Sequence, residues 1–393
     1  MEEQQKKRRR FPGWAKIVIA VVLTLVLTLG AVAGAAVGGV WHPPAAVVVF
    51  GKDGIALMQG YLLAKFSFVE TDADLSKAVD SALDGMVEGL GDRWSYYLDP
   101  ESYQNTLQSR ANNYVGIGVT VSYDREDGLL VQEVTEEGPA QQAGVKAGDV
   151  ITHVDGTSVA GDARYEATDM IAGEEGTQVE LTLLGEDGTT RTVTCTRQTL
   201  KSDSVSSKLL DNGVGYVRLD NFYSGAASSL SREVQSLMDQ GATSLVLDVR
   251  SNPGGYVAEL IAALDYLLPE GPIFTERPRW GKETVYESDA SCVDLPMVVR
   301  VDANSYSAAE LFAAQLRESV QAPIVGEVTS GKGYAQLTFP LVNGGGLGLS
   351  VSAYCTGGGH SLIGEGIQPD VELSLDDSGT DNQLQAAIDL LLK

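Results

Sequence analysis

The sequence PMVVRVDANSYSAAELFAAQLRES, residues 296–319, changes its pattern halfway along. Its first part is an almost continuous apolar run, which is typical of a strand buried on both faces. The part from Ala308 to Glu318 predicts a helix. The segment therefore predicts a buried strand that turns directly into a helix.

The same alternation extends over most of the chain after residue 202. Strands are predicted in VGYVRLDNF (214–222) and SLVLDVR (244–250), and helices in AASSLSREVQSLMDQG (226–241) and YVAELIAALDYLLP (256–269). Strands that alternate with helices form an α/β layer, which binds its ligands at the carboxyl ends of the strands. The turn between residue 301 and the following helix is therefore a candidate site.

Two serines, Ser305 and Ser307, lie in this turn. A serine here can cap the helix, with Glu310 as the capping-box partner of Ser307. It can also act as a nucleophile, because the free amides at the start of the helix lie close to any oxyanion that forms. The local sequence by itself favours the capping interpretation.

A second stretch, VGEVTSGKGYAQ (325–336), contains most of a phosphate-binding P-loop. Such a loop needs Ser or Thr after its lysine and a helix after that. Here Gly333 follows Lys332, and the next residues alternate like a strand. The sequence therefore predicts no nucleotide site, and Lys332 needs another role.

Residues 111–200 have a strand-rich pattern in which two alternating runs flank an EDG turn, and GPAQQAGVKAGDVI follows at 138–151. This region closely resembles a PDZ domain. The resemblance implies a loop whose backbone amides receive the terminal carboxylate of a peptide. Taken alone, the four residues of that loop also suit the start of a strand. They are Gly116, Ile117, Gly118 and Val119.

The N-terminus combines a basic and an apolar segment. Six of the 28 basic residues lie before residue 17, and Ile17–Val40 carries no charge. A helix over 17–40 would be about 36 Å long, enough to cross a hydrocarbon core of about 30 Å. This pattern favours a single transmembrane helix with residues 1–16 in the cytoplasm. A cleaved signal peptide is the alternative, and either one predicts that the body works outside the cytoplasm.

Composition excludes several classes of function. The formal net charge is −25, which disfavours nucleic acid as a partner. The three cysteines form no CxxC pair, and the three histidines form no HExxH motif. We therefore expect no disulfide framework, no metal site and no cofactor.

In the order of these segments the chain resembles the carboxy-terminal processing (tail-specific) serine proteases. The likeness covers nearly all of residues 75–375 and is carried by GLGDRWSYYLDPESY, the PDZ-like stretch, LDVRSNPGG, NSYSAAEL, VGEVTSGKGYAQ and GIQPDVEL. It implies a multidomain α+β protein with an α/β crotonase-like protease core. The expected segments are a basic tail (1–16), the transmembrane helix (17–40), a helical segment (41–110), the PDZ-like domain (111–200) and the core (201–393).

The resemblance also implies the site residues. Ser307 matches the nucleophile, Lys332 the general base 25 residues later, and Gln336 the residue that orients the lysine. The oxyanion is expected to bind the amide of Ala308 and that of Gly254 or Gly255. Burial lowers the pKa of a lysine from about 10.4 and so allows it to accept a proton. On an alternating strand Lys332 and Gln336 share one face, so we expect the Gln336 amide to reach the lysine nitrogen.

The expected function is that of a membrane-anchored serine endopeptidase that binds C-terminal tails of extracytoplasmic proteins. The expected partners are protein or peptide substrates with exposed C-termini, the membrane, and further copies of the chain in a homo-oligomer. The alternative is a non-catalytic PDZ scaffold. Tyr306, Ala309 and Ser330 depart from the family pattern, and Tyr306 and Ser330 are expected to affect the substrate pocket or the desolvation of the lysine.

Overall fold

The computed structural model describes residues 45–70, 72–376 and 380–393, which fall into two compact units, 1–91 and 92–393. In the first unit the described part consists of helices α1 (Ala45–Ser67) and α2 (Leu75–Glu88). Helix α2 begins after Asp74, whose side chain accepts a hydrogen bond from the Ser76 amide at 3.0 Å. Aspartate is a favourable residue at the N-terminal cap of a helix, because its carboxylate accepts from a free backbone amide there.

The expectation of a transmembrane helix in the fold is corrected. In the three described ranges no helix is both long and apolar enough to cross a membrane. Helix α1 has 23 residues, but it contains the charged residues Lys52, Asp53 and Lys65. Residues 17–40, on which the prediction rested, lie outside the described residues. The architecture is accordingly multidomain α+β.

The second unit begins with a strand inside the stretch predicted to be helical. Strand β1 (Tyr96–Leu98) pairs with a later strand of the core, and helix α3 (Pro100–Arg110) follows. Asp99 caps α3 by accepting from the amides of Glu101 and Ser102 at 2.9 and 3.0 Å, and the proline occupies the first turn. Residues 92–110 thus bring a strand and a capped helix to the core.

The PDZ-like region is built on an antiparallel sheet in the order β3-β4-β5-β7-β8, with β6 beside β5. Strand β2 pairs with β9, and Gly118, with φ 79°, separates β2 from β3. Strand β3 is therefore an edge strand. The elements are β2 (Asn113–Gly116), β3 (Val119–Ser122), β4 (Leu129–Val134), α4 (Pro139–Gln142), β5 (Val150–Val154), β6 (Thr157–Ser158), a 3₁₀ helix (Gly161–Tyr165), α5 (Ala167–Ile171), β7 (Gln178–Leu184), β8 (Thr190–Thr196) and β9 (Gln198–Lys201).

The core contains a six-stranded sheet in the order β10-β11-β12-β15-β16-β19, parallel except for the β10–β11 pair. The predicted alternation of strands and helices is confirmed. The elements are β10 (Val205–Leu209), β11 (Val214–Leu219), α6 (Ala226–Asp239), β12 (Ser244–Asp248), α7 (Val257–Leu267), β15 (Met297–Val301), α8 (Ala308–Val320), β16 (Ile324–Gly326), β19 (Val371–Glu372) and α9 (Asn382–Leu391).

Both faces of this sheet are covered. Leu245 and Leu247 of β12 pack in one cluster with α6, α7 and α8, whereas Val246 packs in another with α9. Because successive side chains of a strand point to opposite faces, a strand covered on both sides is apolar at most of its positions. This explains the continuous apolar runs.

A second sheet completes the core and carries one side of the site. It contains β1, β13 (Gly271–Pro278), β14 (Thr284–Ser288), β17 (Tyr334–Pro340) and β18 (Gly346–Thr356). Strand β18 pairs with β1, β13 and β17. Residues 92–98 are thereby held close to the segment that leads into β17.

Candidate active site

Ser307 lies in the turn between β15 and α8, where the parallel sheet ends. Its backbone has φ 63° and ψ −120°, a conformation that non-glycine residues rarely adopt. Gly254 packs directly against the turn, since a Cβ at that position would lie 2.9 Å from Ala308 N and from Ser307 Cβ. A tight, strained turn therefore presents the Ser307 side chain to a cavity.

The two serines of the turn differ in their surroundings. Ser305 is fully buried, its hydroxyl donates to the Val249 carbonyl at 2.8 Å, and it accepts from the Asp302 amide at 3.0 Å. Ser307 instead lines the cavity. Ser305 thus stabilises the turn, and Ser307 is the serine accessible from the cavity.

Glu310 joins the serine turn to the lysine segment. Its fully buried carboxylate accepts from the Ser307 amide at 2.9 Å and from the Lys332 amide at 2.8 Å through Oε2. Oε1 accepts from the Thr329 hydroxyl at 2.5 Å and the Gly331 amide at 2.7 Å. The capping-box contact predicted for Glu310 is present, and the same carboxylate also fixes the backbone of Lys332.

The half-buried side chain of Lys332 reaches the same cavity as Ser307. Desolvation, together with the positive charge of Arg110, lowers the pKa of Lys332 to about 8, against the opposing charges of Glu310 and Asp92. A large part of the lysine is then neutral at mildly alkaline pH, so Lys332 is able to accept a proton.

The ammonium of Lys332 is enclosed by two aromatic rings. Nζ lies 5.1 Å from the ring centre of Trp94 and 5.3 Å from that of Tyr306. Within the described residues no hydrogen bond joins Lys332 Nζ to Ser307 Oγ.

Tyr354 contacts both the lysine and the serine segments. Its hydroxyl donates to the Lys332 carbonyl. Burial raises the pKa of Tyr354, whereas a hydrogen bond with Ser307 acts to lower that pKa.

Gln336 and Lys332 line the same cavity, but within the described residues no hydrogen bond joins their side chains, so the predicted contact between them stays a prediction. The Gln336 side chain donates to the backbone carbonyl of Trp94. The pairing of β17 with β18 shifts register between Ala335 and Gln336, and this irregularity interrupts the alternation on which the prediction relied. Gln336 therefore contacts the segment that carries Trp94.

The two glycines considered for the oxyanion site are not equivalent. The Gly254 amide donates to the Asn252 side chain at 2.8 Å, so it is already engaged. Gly255 lines the cavity together with Ala308, and a Cβ there would lie 2.2 Å from the Phe222 carbonyl oxygen. Among the three predicted amides, those of Gly255 and Ala308 suit an oxyanion best.

The cavity has a volume of about 780 Å³, large enough for several residues of an extended peptide. Its polar side includes Arg110, whose guanidinium donates to the Tyr96 hydroxyl at 2.8 Å. Its apolar wall is formed by side chains of α3, α7, α8 and β17, namely Leu107, Val257, Leu260, Leu311 and Leu337.

A second, smaller groove of about 180 Å³ lies in the PDZ-like region. The predicted carboxylate-binding loop, residues 116–119, forms one end, and β3 and α5 form the sides. The carbonyls of Ile117 and Gly118 accept from the amides of Ala140 and Thr135 at 2.8 and 2.9 Å, which fixes the loop. The groove thus lies beside an edge strand, the arrangement that β-strand addition requires.

The sequence interpretation missed Trp94 and Arg110 as parts of the site. Both belong to the stretch 92–110, which was predicted to be helical and was assigned no chemistry. The motif GLGDRWSYYLDPESY was the only signal in the sequence that this stretch belongs to the site. Hydrophobic periodicity describes only local structure, so it does not predict that Trp94 lies beside Lys332, more than 200 residues later.

Family models match both the core and the PDZ-like region of the chain. The model of peptidase family S41 matches residues 213–373, and a PDZ-domain model matches 114–196. The carboxyl-terminal-processing protease of Picosynechococcus is 32% identical over 346 residues, which is 85% of this chain and 84% of that protein. The carboxy-terminal processing protease CtpA of Bacillus subtilis is 32% identical over 312 residues, 79% of this chain and 66% of that protein, just under two thirds of its length.

A solved structure shows the same fold. The crystal structure of a putative S41 protease from Bacteroides fragilis superposes with a TM-score of 0.56 at 17% identity, covering 82% of this chain and 92% of that one. The family models thus assign the PDZ-like region and the core, and the sequence relatives extend over most of the chain. The chain therefore belongs to peptidase family S41, among the serine-type carboxy-terminal processing proteases that carry a PDZ domain.

Proposed function

We propose that Ser307 and Lys332 form a catalytic dyad that cleaves peptide bonds in the 780 Å³ cavity. The observation that carries the proposal is that a desolvated lysine and a serine at a helix N-terminus line one cavity. A serine that only capped the helix would not account for a partly buried lysine in the same cavity. Burying a lysine is costly, so its presence there favours a chemical role.

In the proposed reaction neutral Lys332 accepts the proton of the Ser307 hydroxyl while Oγ forms a bond to the scissile carbonyl carbon. The oxyanion of the tetrahedral intermediate accepts hydrogen bonds from the amides of Ala308 and Gly255. The intermediate collapses, the C–N bond breaks, and the lysine returns its proton to the leaving amine. Water then attacks the acyl-enzyme with Lys332 again as base, which releases the acid and restores the serine.

Catalysis requires Lys332 Nζ to come within hydrogen-bonding distance of Ser307 Oγ. Catalytic hydrogen bonds of ligand-free enzymes are often longer than in the substrate complex. Four flexible bonds of the lysine side chain permit this movement without a change in the backbone, which Glu310 holds. We propose that occupation of the cavity by a peptide completes the dyad.

We further propose that the groove in the PDZ-like region binds the C-terminal tail of the substrate. A peptide would add to the edge of β3, and the loop at residues 116–119 would receive its carboxylate. Action on proteins outside the cytoplasm stays a prediction from residues 1–40 alone.

The test compares wild type with Ser307→Ala and Lys332→Ala, and with Lys282→Ala, which removes an exposed lysine, as the control. A fluorophosphonate probe reports on the dyad, because Ser307 Oγ would form a P–O bond as the P–F bond breaks. A protein with an unstructured tail, with and without an amidated C-terminus, reports on cleavage and recognition.

We expect labelling and cleavage in wild type and Lys282→Ala and neither in the two site variants. Full activity in either site variant refutes the dyad. Tail binding without any labelling of the wild type would instead support the non-catalytic scaffold. Equal cleavage of free and amidated tails would refute carboxylate recognition by the groove.

A further inference from the structure

The surroundings of Lys332 Nζ are aromatic on two sides. Trp94 and Tyr306 place their ring centres 5.1 and 5.3 Å from it, and the two rings lie 6.0 Å apart at an interplanar angle of 30°. A cation within about 6 Å of a ring centre is attracted by the negative face of the ring, most strongly for tryptophan. These rings therefore favour the charged lysine, whereas burial favours the neutral one.

Trp94 is held in place by the two residues that precede it in the chain. Arg93 stacks on the indole with its guanidinium 4.2 Å from the ring centre and donates to the Ser330 carbonyl at 2.6 Å. Asp92 accepts from the Trp94 amide at 3.1 Å and from the Ser95 hydroxyl at 2.5 Å. The position of the indole ring is thus fixed by Asp92 and Arg93, and through Arg93 by the carbonyl of Ser330.

The backbone of Trp94 makes a separate contact, because its carbonyl accepts from the Gln336 side chain. One residue therefore contacts two of the predicted site residues, Lys332 through its ring and Gln336 through its carbonyl. A substitution of the side chain removes the first contact and leaves the acceptor of the second in the chain. The two contacts can be separated by experiment.

We propose that Trp94 is a positioning residue whose indole face holds the Lys332 ammonium in its charged form and thereby sets the pH above which the lysine acts as base. The inference rests on the proposed Ser307–Lys332 dyad. In the resting site the charged lysine stays over the indole face. Once the lysine loses its proton, the neutral amine is no longer attracted by the ring.

Other charges around the lysine remain when Trp94 is replaced. Arg110 favours the neutral amine, and Glu310 and Asp92 favour the ammonium. Arg93 is the further cation near the ring. Because a substitution of Trp94 keeps all four of these groups in the chain, a change in the pH profile reports mainly on the ring.

The test measures the rate of fluorophosphonate labelling of the full chain against pH for wild type, Trp94→Leu and Trp94→Phe. Leucine keeps an apolar side chain but has no π face, and phenylalanine keeps a weaker one. For Trp94→Leu we expect the half-maximal pH of the acidic limb to fall by about 0.4–1.5, with a smaller fall for Trp94→Phe. Well below the half-maximal pH, the leucine variant then labels about 3- to 30-fold faster relative to its own plateau.

A half-maximal pH that is unchanged or higher in Trp94→Leu overturns the inference, because a purely structural tryptophan lowers the rate equally at every pH. If Trp94→Leu does not fold, Trp94→Phe carries the test, and a half-maximal pH that is unchanged or higher in that variant overturns the inference. Failure of the proposed function is distinguishable: labelling that persists in Lys332→Ala refutes the dyad, whatever the Trp94 variants show.

Discussion

The substitution Glu310→Gln tests whether one carboxylate holds the serine and lysine backbones together. Glu310 accepts four hydrogen bonds, from the amides of Ser307, Gly331 and Lys332 and from the Thr329 hydroxyl. Glutamine has nearly the same shape but one oxygen and one NH₂ group. Two of the four donors must then face a group that cannot accept.

The cost follows from which donors lose their acceptor. The least costly orientation points the NH₂ group at Thr329 and Gly331, because the threonine hydroxyl is able to accept instead. The Gly331 amide is then left unsatisfied, at about 1–3 kcal/mol, and the bonds to Ser307 and Lys332 lose their charge assistance. We expect a total loss of about 2–4 kcal/mol of local stability.

Native-state hydrogen exchange of helix α8 and fluorophosphonate labelling are the two assays. Exchange reports the local free energy of opening, which suits a chain of several domains better than a single melting temperature. Labelling is expected to fall by about tenfold or more, because both reacting groups lose a shared anchor.

The matched control is Glu318→Gln on the same helix. Its carboxylate accepts from the Thr356 hydroxyl at 2.7 Å and the Gly358 amide at 2.9 Å, but the side chain is 22% exposed. Water can replace the lost acceptor, so we expect a loss below about 1 kcal/mol and little change in labelling. If Glu310→Gln matches wild type in both assays, the role assigned to this carboxylate is wrong.

Three further outcomes are expected. Labelling of the wild type should rise with pH and be half-maximal near pH 8, since only neutral Lys332 accepts a proton and its pKa is lowered to about 8; a profile that is flat from pH 6 to 10 would contradict this. Gly118→Ala should weaken binding of a free peptide tail in a calorimetric titration, because Gly118 has φ 79° and a Cβ there would lie 2.9 Å from the Cβ of Thr135. Gly144→Ala is the control for backbone strain alone, because Gly144 has φ 85° but open space around it. Asp248→Asn should lower the urea-unfolding free energy of the core by about 3–5 kcal/mol, because the fully buried guanidinium of Arg300 loses the buried one of its two carboxylate partners. Asp381→Asn, whose side chain is 35% exposed, should lower it by less; equal effects would show that burial does not decide the cost.

Local sequence was sufficient for the elements of the core. The apolar runs predict strands buried on both faces, and β12 and β15 are buried at every position. The start of α8 was also predictable, because a capping-box pattern depends only on residues three apart. The strand at Tyr96–Leu98 was not predictable in this way, because it forms by pairing with β18, about 250 residues further along the chain.

The sequence by itself pointed to Ser307 and Lys332 as the candidate chemistry through its resemblance to the carboxy-terminal processing proteases, in which the lysine follows the serine by 25 residues. Only the tertiary structure decided how Lys332 is surrounded, which glycine lines the cavity and where the Gln336 amide donates. Each of these depends on contacts between distant segments: Trp94 against Lys332, Asn252 against Gly254, and the register shift of β17 on β18. Spacing along a chain records which groups are available, whereas desolvation and hydrogen-bond direction are set by neighbours that folding brings together.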